Sequence, residues 1–364
     1  MSVKLPLILV LAMSLTAACS DSSIDAGSTE LKRMPSGVPD LSGVYDTATL
    51  TPTERLEWLG DIEYLYPWVA KSANWALKTA TEWAQTNESD PDRGAPPVGG
   101  EGPQGGGAGG TGGYNAFYID LGDSLGEVNG RVPTSIVYDP PNGRYPATQP
   151  DVEARMGSIY QSFLHQNTGT ATWLDHEGPG PFDGPESLAP SERCLISFAS
   201  TVPTLPSLYN NYKRIVQTDT HVMILQEMVH DARIIRLDGE HTPDVNRKWL
   251  GDSIGRWEGD TLVVETRGFK EISGLPGADE NLHVVERFTP TADGNLYYDF
   301  TVTDETVWTA SWSGRYEWQA KPRDRVYEYA CHEGNYAMGN ILRGARLLES
   351  EYEPSPPAAA SGGE

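Results

Sequence analysis

Tyr212-Lys213-Arg214-Ile215-Val216-Gln217, then Thr218-Asp219-Thr220, then His221-Val222-Met223-Ile224-Leu225-Gln226-Glu227-Met228: two short runs rich in β-branched and apolar residues flank a small polar turn. The same grammar repeats downstream. Ala232–Leu237, Thr261–Phe269, Leu282–Thr289, Leu296–Thr303, Trp308–Trp318 and Val326–Cys331 carry β-branched and aromatic residues. Asp238-Gly239, Glu258-Gly259-Asp260, Asp293-Gly294-Asn295 and Lys321-Pro322-Arg323-Asp324 punctuate them with turn chemistry. Strand-length runs at this spacing predict a mainly β fold. The expectation is an antiparallel up-and-down β-barrel of about eight strands over residues 201–348. An N-terminal segment of helices and loops, residues 40–200, should pack around it.

Composition supports a real core. Hydrophobic residues make up 38% of the 364, but ten Trp and seventeen Tyr supply large buried area per residue. Thirty-eight Gly and 27 Pro indicate many turns and few long helices. The formal net charge of −24 repels phosphate backbones and excludes nucleic acid as an expected partner.

At the N-terminus Lys4 precedes the apolar run Leu5–Leu15, followed by Thr16-Ala17-Ala18-Cys19. A basic start, a short apolar core and small residues before a cut site read as an export signal, residues 1–18, and not as a membrane span. Ala-Ala-Cys resembles the bacterial lipobox, which implies lipidation of Cys19. The residue three before the Cys is Thr16, where the lipobox has an aliphatic one. The bland alternative is ordinary cleavage near Ala18. Ser20 fits sorting to the outer membrane, so the expected location is the periplasmic side of that membrane. Residues 19–39 are Ser/Asp/Gly-rich and suit a flexible tether.

The other two cysteines, Cys194 and Cys331, form an even pair. In an oxidising compartment they read as one disulfide, and otherwise as two buried thiols. Within residues 40–200, Asp40–Tyr45 is the first ordered segment, and Pro52 opens a helical stretch with a stripe from Leu56 to Trp68. A second helix is expected over Val69–Gln85. Residues 91–113 form a Gly/Pro-rich loop. Short strands are expected at Ala116–Leu121 and Thr134–Tyr138, a helix at Val152–His165, and a closing helix at Tyr336–Leu348. Residues 349–364 read as a disordered tail.

Three motifs carry a resemblance: Trp249-Leu250-Gly251-Asp252-Ser253-Ile254-Gly255-Arg256-Trp257-Glu258-Gly259-Asp260-Thr261-Leu262-Val263-Val264-Glu265-Thr266, Asn281–Phe288, and Tyr329-Ala330-Cys331-His332-Glu333-Gly334-Asn335-Tyr336. Together with Asp40–Leu50 and Arg193-Cys194-Leu195, they resemble a large uncharacterised family of exported bacterial proteins. That likeness implies a shared fold and no activity. In pattern alone the strand-rich half is similar to lipocalin- and nitrobindin-like barrels, which hold one small ligand inside.

Candidate chemistry concentrates in two places. Glu227-Met228-Val229-His230-Asp231-Ala232-Arg233 joins two strands, and in an extended chain Glu227 and Asp231 would share one face. His230 could serve as general base beside Glu227 or Asp231, with Arg233 holding an oxyanion. The bland reading is a solvated hairpin turn or a structural ion pair. Cys331–Tyr336 offers His332 and Tyr336 as polarising groups, or else a hydrogen-bonded plug. Gly251-Asp252-Ser253-Ile254-Gly255 matches a nucleophile elbow, but a hairpin follows it where that motif needs a helix. Gly122-Asp123-Ser124-Leu125 with Asp238-Gly239-Glu240-His241 resembles a GDSL-type esterase, whose alternating strands and helices this chain lacks. Seven His show no ligand spacing, so neither metal nor cofactor is predicted. Arg256, Trp257, Arg287 and Arg315 read as residues that knit strands together.

The leading expectation is an exported, lipid-anchored barrel that binds a small, partly apolar or aromatic molecule. Its partners are that ligand and a membrane reached through the anchor. The alternatives are an isomerase, lyase or hydrolase using the His230 and His332 groups, and a purely structural envelope lipoprotein.

Overall fold

A computed structural model describes residues 30–85, 119–165 and 168–353. The expected signal peptide, Cys19, the 91–113 loop, residues 116–118 of one expected strand and residues 354–364 of the tail lie outside the described residues.

Ten strands form one sheet. They are β1 (Gly43–Asp46), β2 (Val137–Asp139), β3 (Tyr212–Gln217), β4 (His221–Gln226), β5 (Ala232–Leu237), β6 (Asp252–Glu258), β7 (Thr261–Arg267), β8 (His283–Pro290), β9 (Leu296–Thr303) and β10 (Trp312–Ala320). The spatial order is β1-β3-β4-β5-β6-β7-β8-β9-β10, and β10 returns to β1 through Tyr45↔Ala320 and Asp46↔Gln319. The result is a closed nine-strand barrel. The seam between β10 and β1 is short, and β2 extends it by pairing with Ser313 and Gly314.

Nine strands are close to the eight or so expected, but the barrel is mixed, which corrects the all-antiparallel expectation. A ring of nine strands cannot reverse direction at every junction, so one neighbouring pair must run parallel. Here it is β5 and β6, with Ile235↔Ser253 and Leu237↔Gly255. Residues 238–251 carry the chain back along the barrel between them. Two strand assignments change as well. β6 was not expected as a strand, whereas residues 326–330 are irregular and Cys331–Gly334 is a short helix, α4.

Alternation builds the interior. In β9 Leu296, Tyr298, Phe300 and Val302 are all buried, and their neighbours are half-exposed. In β3 and β4 the inward set is Lys213, Ile215, Gln217, Val222, Ile224 and Gln226. The Tyr298 ring sits 4.9 Å from Trp318, 5.0 Å from Phe288 and 5.6 Å from Tyr316, centroid to centroid. Such aromatic pairs add packing energy beyond their area. Two glycines make room in the interior, one for a ring and one for aliphatic side chains. A Cβ at Gly314 would collide with the Phe300 ring, and one at Gly255 would lie 2.8 Å from Ile235 Cγ2. The bore is therefore filled with side chains.

The remaining elements gather around the end of the barrel where β1 finishes and β3 begins. The helix α1 (Pro67–Gln85) starts two residues before the expected position. The expected stripe at Leu56–Trp68 yields only a single helical turn at Glu57–Leu59. α2 (Val152–Ile159) and α3 (Gln161–Leu164) occupy the predicted helical stretch. α5 (Tyr336–Ser350) buries Ala345 in a satellite core with Ala171 and Trp173. Trp173 Nε1 donates to Glu349 Oε1 at 3.0 Å. Cys194 and Cys331 are bonded, with Cα atoms 5.8 Å apart. Among the described residues no helix is long and apolar enough to cross a membrane.

Candidate functional site

The turn between β4 and β5 does not continue the strand alternation. Val229 and His230 adopt left-handed φ of 62° and 44°, which turns the chain sharply. A β-branched residue there is strained, at a cost of about 1–3 kcal/mol. The turn separates the side chains expected to cooperate. Glu227 is buried, and its Oε1 accepts from the Tyr327 backbone N–H at 3.1 Å. His230 is exposed, and its Nδ1 lies 2.8 Å from the Tyr329 carbonyl oxygen. A carbonyl only accepts, so this contact fixes the proton on Nδ1. Asp231 is half-buried, and burial raises its pKa.

Arg233 points into the barrel. Its Nη2 lies 2.8 Å from Glu286 Oε2, and both side chains are essentially sealed from solvent. Glu286 Oε1 accepts from Tyr298 O–H at 2.7 Å, and Tyr298 Oη in turn accepts from the Thr204 N–H at 3.0 Å. Burial next to Glu286 pushes the Tyr298 phenol well above its ordinary range. The Arg233 nitrogens and Glu286 Oε2 lack aligned hydrogen bonds, so charge proximity dominates this contact. Lys213, nearby on β3, is fully buried and donates from Nζ to the Ala199 carbonyl at 2.9 Å. Burial lowers its pKa to about 8, partly offset by Glu227 and Asp46.

His332 and Tyr336 are exposed, on α4 and at the start of α5. In the Cys331–Tyr336 motif the structural partners are Cys331, through its disulfide, and Asn335. Asn335 Oδ1 caps α5 at Met338 N–H, and its Nδ2 donates to the Glu192 carbonyl at 2.7 Å. No side-chain hydrogen bond or ion pair joins any two of Glu227, His230, Asp231, Arg233, His332 and Tyr336.

On the outer wall, Asp252 is a hub. Arg236 donates to both its oxygens at 2.9 and 2.8 Å, and Lys248 Nζ and the Thr242 N–H also reach it. Burial alone would raise its pKa, but these bonds hold it far below the usual carboxylate range. His241 contacts Asp252 and not Asp238, and the Ser124 carbonyl is tied to Leu50 N–H in a loop, so no esterase triad forms. No group of three or more His, Cys, Asp or Glu among the described residues could hold a metal. Arg256 pairs with Glu258 within β6, Arg287 reaches the same carboxylate from β8, and Arg315 on β10 reaches Glu63 and Tyr64 in the segment before α1.

A concavity that was not expected lies at the barrel end. It is a cleft of about 1000 Å³. Its walls come from the segment after β1, from α1 and α2, from residues 190–208 ahead of β3, and from the β7–β8 and β9–β10 connections. Leu50, Met156, Ile196, Leu205, Leu275 and Trp308 supply apolar surface, and Thr49, Thr51, Thr53, Thr148 and Thr201 supply hydroxyls. Among the described residues the lining contains no Asp, Glu, Lys, Arg or His. Its two phenols, Tyr145 and Tyr160, are pushed up by burial and stay neutral. The one sequence signal was the run from Ile196 to Leu208, rich in apolar residues yet broken by Pro203 and Pro206. No protein-family model matches this sequence, and no curated protein matches it.

Proposed function

We propose that the chain is an exported, lipid-anchored envelope protein that takes up one small, uncharged, partly apolar or aromatic molecule in the cleft at the barrel end. One observation carries the reading. In a chain of net charge −24, a cleft of about 1000 Å³ has no charged side chain among the described residues that line it. A charged ligand would lose its hydration there and find no counter-charge, at a cost of several kcal/mol. A neutral one would gain from apolar burial, and the threonine hydroxyls would orient it. The analogy with lipocalin-like barrels extends to the kind of guest and not to its position, because aromatic side chains occupy the bore. The Cys194–Cys331 bond supports an oxidising compartment. Acid–base catalysis by His230 with Glu227 or Asp231 has weaker support, since Glu227 is occupied by a backbone N–H and Arg233 by Glu286.

The test is titration with a neutral apolar fluorophore and with an anionic analogue of similar size. Wild-type protein should bind the neutral probe saturably, at one site, and the anionic one at least about tenfold more weakly. Leu205→Arg, which puts a charge in the lining, should lose the neutral probe, whereas the uncharged Leu205→Gln should keep most of the affinity. Equal binding of both probes, or an unaffected Leu205→Arg variant with an unchanged melting temperature, would defeat the reading.

A further inference from the structure

The helix α1 has two faces with different fates. Its inner face holds Ala70, which is buried, and Asn74, whose Oδ1 accepts from the Leu125 N–H at 2.6 Å. Leu77, Ala80 and Thr81 on the same side form part of the cleft wall. The opposite face is set by Trp68, Lys71, Trp75, Lys78 and Glu82, which recur at three- and four-residue steps and so fall on one stripe. Trp68 and Trp75 are 73% and 72% exposed, and the neighbouring Trp58 and Tyr66 are 79% and 68% exposed. Leu56 and Ile62 add exposed apolar surface in the same short region. Four large aromatic side chains left in water within eighteen residues are not explained by packing, since α1 already seats its inner face.

The chemistry of the stripe favours one partner. Trp and Tyr have an apolar body and a polar tip, and they partition to the headgroup level of a bilayer. Lys71 and Lys78 are exposed cations on the same stripe, in a molecule of net charge −24; among the described residues Lys78 pairs with Glu82 at 3.9 Å, and Lys71 lines a concavity with Glu63 and Glu127 without a salt bridge. Aromatic rings beside lysines on one helix face match a surface of lipid phosphates over acyl chains. A protein partner would be expected to offer a shaped anchor pocket, which a flat helical stripe does not need.

We infer that α1, with the exposed Trp58 and Tyr66 just before it in the chain, is a membrane-contact surface that lays the outer face of the helix in the headgroup region of a phospholipid bilayer. This contact is separate from any acyl anchor at Cys19, and it stands whether or not the cleft binds a ligand. It would put the wall of the cleft formed by α1 next to the lipid.

The experiment uses the full chain carrying Cys19→Ser, so that acylation cannot supply the attachment. It is mixed with phosphatidylcholine vesicles containing phosphatidylglycerol, with and without brominated acyl chains. Tryptophan fluorescence should be quenched by the brominated lipid, and the protein should float with the vesicles. Replacing Trp58, Trp68 and Trp75 together by Ser should weaken partitioning by about tenfold or more without changing the melting temperature, because these side chains are exposed. Lys71→Glu with Lys78→Glu should weaken binding more when phosphatidylglycerol is present than on phosphatidylcholine alone. Absence of quenching and flotation would overturn the inference. So would a dimer in sedimentation equilibrium that the serine substitutions dissolve, since the stripe would then be an interface between two copies.

Discussion

Replacing Arg233 by Met, or Glu286 by Gln, should cost far more than replacing both. The two side chains face each other inside the barrel at 2.8 Å, and each is essentially unexposed. Removing one leaves its partner as a lone charge in a low-dielectric interior, which costs about 3–5 kcal/mol. Removing both leaves an apolar side chain beside an amide. Gln at 286 still accepts from the Tyr298 hydroxyl, which Glu286 now does at 2.7 Å. The double variant should therefore lie within about 1 kcal/mol of wild type, or be more stable by up to about 4 kcal/mol. The coupling energy would exceed the range of about 0.5–3 kcal/mol usual for contacting residues. Urea unfolding with linear extrapolation measures all four proteins, and an unchanged m-value certifies that each reports stability. If both single variants cost less than about 1 kcal/mol, solvent or another charge reaches the pair. The claim that Arg233 is committed to Glu286 would then fail, and Arg233 would again be free to hold an oxyanion.

Reduction, or Cys194→Ser with Cys331→Ser, releases a loop spanning 137 residues and should lower stability by about 5 kcal/mol in the chain-entropy picture, read as a drop in the urea midpoint. Gly314→Val should destabilise by about 1–3 kcal/mol, because the new side chain enters space held by the Phe300 ring; Phe300→Leu in the same chain should recover part of it. Lys213 sets a pH signature. With its folded pKa lowered to about 8, the unfolded chain binds more protons between there and the ordinary 10.5, so stability should climb with pH across that window. The difference between wild type and Lys213→Met should change by up to about 1.4 kcal/mol per pH unit from pH 8 to 10, and a flat difference would refute the buried charge.

Strands whose inner face is wholly apolar and whose outer face is half wet advertise themselves, and β9 is of that kind; the hairpin from β3 to β4 keeps the alternation through Ile215, Val222 and Ile224, although Lys213, Gln217 and Gln226 also point inward. β6 hides because Asp252 and Ser253 are buried polar residues and Gly255 is inward-facing, so its apolar periodicity collapses even though it lies in the middle of the sheet. The parallel register of β5 with β6 leaves no local trace at all, since it depends on where a fourteen-residue return, residues 238–251, happens to land. Closure is equally remote. It rests on the four residues of β1, which pair with β3 and β10 far along the chain. The turn at Met228–His230 misled for a definite reason. Side-chain alternation was extended through residues whose left-handed φ cancels it, and groups placed on shared faces in the reading point apart in the fold.

The cleft and the filled bore have a common cause. Gly314 admits the Phe300 ring and Gly255 the side chains of Ile235 and Leu262, the buried rings of β8, β9 and β10 fill the nine-strand interior, and the segments at the barrel end supply the cleft. The lining comes from seven separate stretches of sequence between Thr49 and Trp308, loops and helices alike, and no single stretch has a period to detect. What could be read locally was polarity. Between Ile196 and Leu208 the chain carries Phe198, Val202, Leu205 and Leu208 with no ionisable residue, although it forms neither strand nor helix. An irregular segment that stays apolar has to bury itself against something. In this fold it covers the Arg233–Glu286 pair from above through Thr204 and Tyr298, and its other side forms part of the uncharged cleft. The same thirteen residues therefore touch the hydrogen-bond chain of the buried charges and line the proposed binding cleft. A substitution that loosens them should be felt in both the stability of the barrel and the affinity of the cleft.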